Sequence, residues 1–297
     1  MILFCSALKP VYNNIENFSS YLAGLIEGDG SIKVPKTSFS IKGKALYPSI
    51  SITFVKKDIS TAEWLQKNLG GKIYTYPEYV ILSFQDLKSI YNITSLINGY
   101  FRTPKYTVLL NLINWYNEYS TRDTAKNIFS QIQAKNLDTS SILENSWLAG
   151  LLDADSNFLI TYSLNKENIA YNVDLTMRLS QQEKSVYGGN YQDVMEKIAS
   201  ALHTKAKLNI RNRRNGIEHF FLIVVKSRLS IKLLNDYLEI YPLLSSKRND
   251  FESWKCAFYC TRELKYKDKE GTLLLKSLKG GMNSKRTLFN FDHLKEV

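Results

Sequence analysis

The sequence predicts an α+β fold built from two copies of one unit. A stretch at residues 20–30 (SYLAGLIEGDG) is echoed at residues 146–156 (SWLAGLLDADS), and each copy has the apolar spacing of an amphipathic helix. After each copy the hydrophobic period changes to the alternation of β-strands, and the same order of elements follows. With 297 residues, 44% of them hydrophobic, the chain is long enough for two modest domains with their own cores.

In the first half, Phe18, Leu22, Leu25 and Ile26 form the apolar side of the first helix. Polar and apolar residues then alternate in two strands that form a hairpin, and the later elements follow from the same patterns. The predicted elements after the first helix are strands at 31–34 and 49–54, a helix at 57–69, strands at 72–76 and 79–84, and helices at 86–97 and 105–119.

The second half repeats this order, so each half is predicted as an αββαββα repeat. The stretch between the halves is polar and rich in Asn, Ser, Thr and Gln, which indicates a linker. We therefore expect domains at 1–119 and 144–297, joined by a linker at 120–143. The predicted elements after the second motif helix are strands at 157–164 and 172–180, a helix at 190–203, strands at 206–212 and 217–225, helices at 227–238 and 247–263, and one more helix around 273–278.

Small residues recur one turn apart on each motif helix, at Gly24 and Gly28 in the first copy and at Gly150 and Ala154 in the second. Small side chains at this spacing allow two helix backbones to approach closely. We therefore expect the two helices to pack against each other, with no room at Gly24 or Gly150 for a side chain larger than Ala.

Asp29 and Asp155 end these helices, where the helix dipole is negative and a carboxylate is disfavoured. The last carbonyl groups of each helix also lack a partner within the helix. One copy alone would indicate an interface helix with a solvated acid at its end. Two copies, each with an acid in the unfavourable place, favour a site for a hard cation such as Mg²⁺, which binds carboxylate and carbonyl oxygens.

The segments Leu22–Asp29 (LAGLIEGD) and Leu148–Asp155 (LAGLLDAD) resemble the motif of the LAGLIDADG homing endonucleases, in the single-chain form with two motifs. The resemblance extends from about residue 15 to beyond residue 260. It implies a monomer of two pseudo-symmetric repeats, with saddle-shaped antiparallel sheets on either side of the paired motif helices. It also implies site-specific double-strand cleavage of DNA across the minor groove, leaving short 3′ overhangs.

The resemblance implies two or three bound Mg²⁺ ions, with Mn²⁺ as a possible replacement and Ca²⁺ supporting DNA binding only. Asp29 and Asp155 match the metal-binding acids of the family, and the carbonyl oxygens of Gly28 and Ala154 are expected as further ligands. Paired metal ions can activate water, neutralise the phosphate and assist the leaving oxygen.

Two lysines, Lys105 and Lys247, open helices at matching places in the two halves. The resemblance places them beside the active site, where they would orient water or stabilise the phosphate; simple binding of the DNA backbone is the alternative. Gln181 resembles a glutamine that holds solvent near the metals, and its counterpart by sequence alignment is Lys56.

Two other motif positions bear on the site. Glu27 and Asp153 are expected to be structural, turned toward helix ends or neighbouring backbone. Gly30 follows the acid in the first copy, where glycine would ease a sharp exit from the helix, but Ser156 follows it in the second.

The outward positions of the predicted strands carry Ser, Thr, Asn, Lys and Arg, with Asp174 the only acid among them, whereas an ordinary solvated face would mix Glu with Lys. The net charge of +11 is shared by both halves and suits a polyanion that touches both. Ribbons of this kind fit the major groove and reach base edges. The predicted DNA-binding residues are Ser31, Lys33, Lys36, Lys42, Lys44, Ser49, Ser51, Lys72, Tyr74, Asn157, Thr161, Ser163, Asn172, Asp174, Thr176, Arg178, Lys207, Asn209, Arg211, Arg213 and Arg214.

The remaining features limit the class of protein. Cys5, Cys256 and Cys260 are too few for a disulfide framework and complete no zinc site, which suggests thiols in a reducing compartment. The apolar start of the chain is too short to span a bilayer, so no membrane partner is expected. The resemblance implies a gene within a mobile intron of an organelle genome. A fungal mitochondrial intron fits the composition rich in Asn, Lys, Ile and Tyr, which suggests A·T-rich coding. Two alternatives to a DNA endonuclease stay open. One is an RNA maturase that assists splicing of its own intron RNA, and the other is a non-catalytic DNA-binding protein.

Overall fold

The computed structural model describes residues 11–122, 128–213 and 216–295. Its first unit is a four-stranded antiparallel sheet, with strand order β1-β2-β4-β3, packed against helices. The elements of this unit are α1 (Ile15–Asp29), β1 (Gly30–Lys33), β2 (Ser49–Val55), α2 (Ile59–Leu69), β3 (Lys72–Thr75), β4 (Tyr79–Phe84), α3 (Leu87–Ile97) and α4 (Tyr106–Ser120).

The second unit repeats this arrangement, with strand order β5-β6-β8-β7 and antiparallel pairing throughout. The α+β class and the repeated αββαββα order are therefore confirmed. The last helix is longer than the six residues predicted, because Asp268 caps its start by accepting a hydrogen bond from the Gly271 N–H. The elements are α5 (Trp147–Asp155), β5 (Ser156–Leu164), β6 (Ala170–Gln182), α6 (Gln192–Ala201), β7 (Ala206–Arg213), β8 (Gly216–Val225), α7 (Arg228–Ile240), α8 (Lys247–Arg262) and α9 (Lys269–Gly280).

Helices α1 and α5 meet at their glycines, as predicted. A Cβ on Gly24 would lie 2.0 Å from the carbonyl oxygen of Trp147, and a Cβ on Gly150 would lie 2.0 Å from that of Tyr21. These contacts are with backbone, which cannot turn aside. The contact is tighter than predicted, since even a methyl group has no space at either position.

Residues 129–135, between the two units, lie against the first one. The Asn98 side chain contacts the backbone of Gln133 and Lys135 through two hydrogen bonds, and Phe129 and Ile132 are buried. The division of the chain at 1–119, 120–143 and 144–297 stays a prediction. Among the helices that the structure describes, every one is too short or too polar to cross a membrane.

The segment after α9 turns back over α8. The Arg286 guanidinium pairs with the Asp250 carboxylate at 3.0 Å, and Asn249 contacts Asn290 through two hydrogen bonds. This path brings Phe289 to the first unit, where its ring lies 5.4 Å from Lys57 Nζ. The C-terminal segment therefore contacts both units.

Candidate active site and DNA-facing surfaces

The ends of α1 and α5 lie side by side and bring the two motif acids together. A Cβ on Gly28 would meet the Ala154 Cβ at 2.2 Å and an Asp155 carboxylate oxygen at 3.0 Å, so the last turns of the helices are in contact. Asp29 remains exposed to solvent and Asp155 is half-buried. The predicted pairing of these acids at one place is thus present in the structure.

Simultaneous ionisation of the Asp29 and Asp155 carboxylates is unfavourable. Asp29 is exposed as a whole residue, but the surrounding protein partly desolvates its carboxylate. This desolvation, followed by repulsion from Asp155, raises the pKa of Asp29 from 3.8 to about 7. Burial also raises the pKa of Asp155, against the opposing effect of Lys247 and a hydrogen bond from Gln181. A divalent cation between the acids would relieve this repulsion.

The donor set fits Mg²⁺ better than a metal that needs a complete protein cage. Within the described ranges there is no cluster of three or more His, Cys, Asp and Glu side chains that could hold a metal. Two carboxylates and nearby carbonyl oxygens are instead available, and Mg²⁺ commonly uses one or two carboxylates together with substrate phosphates and water.

Lys105 and Lys247 reach the ends of the motif helices of their own units. Lys105 Nζ donates to the carbonyl oxygens of Ile26 at 2.9 Å and Gly30 at 2.8 Å, with a longer contact of 3.4 Å to that of Gly28. Lys247 Nζ donates to the carbonyl oxygen of Ala154. Each ammonium group thus compensates the negative end of a helix dipole.

These contacts bear on the expected metal ligands. The carbonyl oxygens of Gly28 and Ala154 face lysine ammonium groups, although each carbonyl has a second lone pair. Their role as metal ligands stays a prediction. Burial lowers the pKa of both Lys105 and Lys247, and the neighbouring acids partly offset this effect.

Glu27 and Asp153 are turned away from the site, as expected for structural acids. Glu27 is buried and accepts hydrogen bonds from the backbone N–H groups of Arg102 and Thr103 and from Trp147 Nε1. Asp153 is buried in the equivalent place in the second unit and accepts hydrogen bonds from the Leu244 backbone N–H and the Ser245 hydroxyl. Because these donors satisfy the carboxylates within the protein, neither acid is placed to hold the metal.

Gln181 lies beside Asp155, with its Nε2 donating to an Asp155 carboxylate oxygen at 2.6 Å. The sheet register pairs Gly30 with Ile52 and Ser156 with Leu179, so the equivalent of Gln181 is Phe54 and not Lys56. The alignment with Lys56 was wrong by two residues. Phe54 is buried and cannot hold solvent, so the two units differ more than the sequence predicted.

Gly30 and Ser156 both leave the helix in extended conformation, at φ −85° and −93°. The prediction that glycine eases the exit by its backbone freedom was therefore wrong, since any residue adopts these angles. Gly30 is needed for space instead, because a Cβ there would lie 2.6 Å from Ile26 Cα. The Ser156 hydroxyl donates to the Leu152 carbonyl oxygen at 2.6 Å, so this residue fits the second site.

The first sheet has one polar face, as predicted. Register places Ser31, Ser51, Ser83 and Lys72 in one row across the four strands. The row beside it includes Ile81, so the centre of the face is more apolar than the sequence analysis expected. The predicted residues on this face are Ser31, Lys33, Ser49, Ser51, Lys72 and Tyr74, and Lys36, Lys42 and Lys44 lie exposed in the loop between β1 and β2.

The second sheet has a corresponding face. Apolar Leu222 and Phe220 lie in its central rows, opposite Lys207 and Asn209. The predicted residues on this face are Asn157, Thr161, Asp174, Thr176, Arg178, Lys207, Asn209, Arg211 and Arg213. The strand register does not place the other three predicted residues on this face. Ser163 lies beyond a register shift between β5 and β6, Asn172 has a left-handed backbone at φ 47°, and Arg214 lies outside the described residues.

An acid that the sequence analysis missed lies on the second face. Glu218 is opposite Arg211 in the register and accepts hydrogen bonds from Arg211 and Arg213 at 2.7–2.8 Å. The Arg211 guanidinium also lies 4.8 Å from the centre of the Phe220 ring. Asp174 is therefore not the only acid on this face, and the two arginines are already oriented within the protein.

Two clefts lie beside the C-terminal ends of the motif helices. One, of about 370 Å³, is lined by Lys105, Asp155, Gln181 and Arg211. The other lies on the side of Lys247 and is lined also by Lys57, Ser156, Asn157 and Phe289. Asn157, predicted to contact DNA, donates from Nδ2 to Asn283 Oδ1 at 2.8 Å, so the C-terminal segment forms one wall of this second cleft.

The fold and the site together define a two-unit protein with paired acids at the interface and a polar sheet face on each side. The sequence profile of the LAGLIDADG endonuclease family matches residues 22–119 and 148–258. The chain belongs to the LAGLIDADG endonuclease family. The predicted resemblance is therefore confirmed over most of both units.

Individual relatives agree with this assignment. The chain is 32% identical over 310 residues to the intron-encoded DNA endonuclease aI3 of Saccharomyces cerevisiae, a match that covers 96% of this chain and 74% of the relative. It is 28% identical over 273 residues to an uncharacterised cox1 intron-2 37.2 kDa protein of Schizosaccharomyces pombe, covering 91% of this chain and 73% of the relative.

Solved structures share the fold. The LAGLIDADG homing endonuclease I-GzeII in complex with its DNA target matches with a TM-score of 0.63 and 18% identity, over 91% of this chain and 99% of that one. I-SmaMI bound to uncleaved DNA target in the presence of calcium ions matches with a TM-score of 0.63 and 18% identity, over 89% and 98%. These similarities confirm the architecture of two repeats.

Proposed function

We propose that this protein is a homing endonuclease that makes a metal-dependent double-strand break with short 3′ overhangs at a long, specific DNA site. The observation that carries the proposal is the pairing of Asp29 with Asp155 at the contact of two motif helices, with a buried or half-buried lysine in each unit. A polar sheet face on each side of the pair provides the surface for DNA.

The carboxylates of Asp29 and Asp155 would hold two or three Mg²⁺ ions, with the Gly28 and Ala154 carbonyl oxygens as candidate further ligands. Bound Mg²⁺ supplies charge neutralisation at the scissile phosphate and lowers the pKa of a coordinated water. The amide of Gln181 holds the Asp155 carboxylate in place from one side.

Lys105 and Lys247 would each serve one cleft. A lysine ammonium beside a scissile phosphate stabilises the charge that develops during cleavage and can orient a water molecule. Because Lys105 lines one cleft and Lys247 the other, each strand of a duplex that crosses the helix ends would meet one of them.

One chain contains two basic units, each with its own motif acid and sheet face, which a symmetric dimer would provide as two subunits. A monomer is therefore the expected active form. The relative from Saccharomyces cerevisiae is an intron-encoded DNA endonuclease, and the relative from Schizosaccharomyces pombe belongs to a cox1 intron. These two relatives and the composition support an origin in a mitochondrial intron. The presence of both motif acids favours a nuclease over a non-catalytic DNA-binding protein or a maturase acting only on RNA.

The test is incubation of the protein with a duplex that carries the intron-free form of its own insertion locus. We expect a double-strand break with Mg²⁺ or Mn²⁺, and binding without cleavage with Ca²⁺ or a chelator. Specific binding of the intron RNA together with an uncut DNA locus would instead support the maturase alternative.

A further inference from the structure

The buried acids of the two motif helices are bound by aromatic residues of the opposite helix. Trp147 Nε1, on α5, donates to a Glu27 carboxylate oxygen of α1 at 2.6 Å. Tyr21 OH, on α1, donates to an Asp153 carboxylate oxygen of α5 at 2.7 Å. Tyr21 and Trp147 occupy the same position in the two motif copies, so the two contacts are related by the internal symmetry.

Each of these acids also holds the turn that carries the lysine of its own unit. Glu27 accepts from the Thr103 hydroxyl at 2.5 Å, and the same hydroxyl accepts the Lys105 N–H at 3.2 Å. In the second unit, Asp153 takes the place of Glu27 and Ser245 that of Thr103. Asp153 accepts from the Ser245 hydroxyl at 2.5 Å, which in turn accepts the Lys247 N–H at 3.1 Å.

We propose that Tyr21 and Trp147 are positioning residues that act across the helix interface, each on the lysine of the other half of the chain. Trp147 fixes Glu27, Thr103 and hence Lys105, whereas Tyr21 fixes Asp153, Ser245 and hence Lys247. The inference rests on the proposed function and adds a coupling between the two clefts.

The contacts around Glu27 explain why one donor matters in a site with several. Its other donors, Arg102 and Thr103, belong to the same unit and move with it. The indole N–H ties the acid to α5, the helix that carries Asp155. Without it, the turn at Thr103 keeps its own hydrogen bonds but loses a fixed position relative to Asp155. In the second unit, the Tyr21 hydroxyl ties Asp153 to α1, the helix that carries Asp29. Without it, the turn at Ser245 loses its fixed position relative to Asp29.

The test uses Trp147→Phe and Tyr21→Phe, which remove a donor and keep a buried ring. Strand-resolved cleavage of a target labelled on both strands gives one rate constant per strand. We expect Trp147→Phe to slow cleavage of one strand by about tenfold or more, since displacements of about 1 Å are costly in catalysis. Tyr21→Phe should slow the other strand, and target affinity should stay unchanged in both.

The variants Thr103→Val and Ser245→Ala provide an independent route. Thr103→Val breaks the chain of hydrogen bonds from Glu27 to Lys105, and Ser245→Ala breaks the chain from Asp153 to Lys247. Both variants leave the aromatic residues intact. Thr103→Val should reproduce the strand bias of Trp147→Phe, and Ser245→Ala that of Tyr21→Phe. This pair keeps the test informative if the loss of indole volume at residue 147 impairs folding.

Matched controls are available in Tyr116→Phe and Trp254→Phe. Tyr116 is buried in the first unit, and its hydroxyl donates to the Leu87 carbonyl oxygen at 2.7 Å, while Trp254 is buried against Phe158. Both controls should cleave the two strands at the parental ratio. Equal slowing of both strands, the same bias from Trp147→Phe and Tyr21→Phe, or parental rates in both would overturn the proposal. Absence of cleavage by the unaltered protein would instead contradict the proposed function.

Discussion

Replacing Gly150 by alanine is expected to separate the two motif helices. The added Cβ would lie 2.0 Å from the Tyr21 carbonyl oxygen and 2.8 Å from the Leu25 N–H nitrogen, both backbone atoms. Ordinary contact begins near 3.4 Å, so the helices must move apart by about 1 Å or more. Overpacking of this kind typically costs about 1–3 kcal/mol of folding free energy.

The effect on cleavage should exceed the effect on folding. Asp29 and Asp155 lie at the ends of the same two helices, so the separation changes their spacing as well. A displacement of about 1 Å can lower a catalysed rate by about a hundredfold. Gly150→Ala should therefore remain folded with reduced stability and cleave its target about a hundred times more slowly, and Gly150→Val should be worse on both counts.

The assay combines urea unfolding with single-turnover cleavage of the target. Gly280→Ala is the matched control, because no atom of the described residues outside its own helix turn lies within 4 Å of a Cβ at this end of α9. That variant should be as stable as the parent or slightly more so. Parental stability and parental cleavage in Gly150→Ala would refute the close contact of the helices at this residue.

Two further predictions follow from the charges. The first concerns metal-free protein, where the raised pKa of Asp29 means that folding stability is lost as the pH rises from about 4 to about 7. Asp29→Asn cannot ionise at this position, so it should be more stable than the parent at pH 8 but not at pH 4. Urea unfolding in the presence of a chelator measures both stabilities. Glu218→Gln should strengthen DNA binding and steepen its dependence on salt, because Arg211 and Arg213 lose their anionic partner. The same variant should discriminate less well between base pairs in a target selection, since the two guanidinium groups lose their fixed orientation; unchanged affinity and selectivity would show that these arginines do not contact DNA.

The repeated motif made much of the fold and site predictable. Its period located both helices, its acids located the paired carboxylates, and its glycines located the helix contact. The lysines were found because each opens a helix at the matching place in its half of the chain, where the family resemblance puts a lysine beside the active site. These features are local in sequence, and their spatial meaning follows from one internal symmetry.

Features that depend on strand register were predicted less well. Lys56 was matched to Gln181 by counting along the sequence, but loops of different length precede β2 and β6, and the register selects Phe54. Glu218 was missed because its role depends on the pairing of β7 with β8, which sets it opposite Arg211.

Contacts between distant elements had no local signal. The hydrogen bonds from Tyr21 and Trp147 cross the helix interface, and in sequence both residues are ordinary members of an apolar pattern. Asn283 lies beyond the part of the chain in which the motifs repeat, yet it binds the side chain of Asn157. Such contacts follow from how the helices and the C-terminal segment are placed in three dimensions.

The central claim is that Asp29 and Asp155 together form the cleavage site. Its most direct test is to measure target binding and Mg²⁺-dependent cleavage for Asp29→Asn and for Asp155→Asn. We expect each variant to bind the target with near-parental affinity and to make no double-strand break. Full cleavage by either variant would contradict a mechanism that requires both carboxylates.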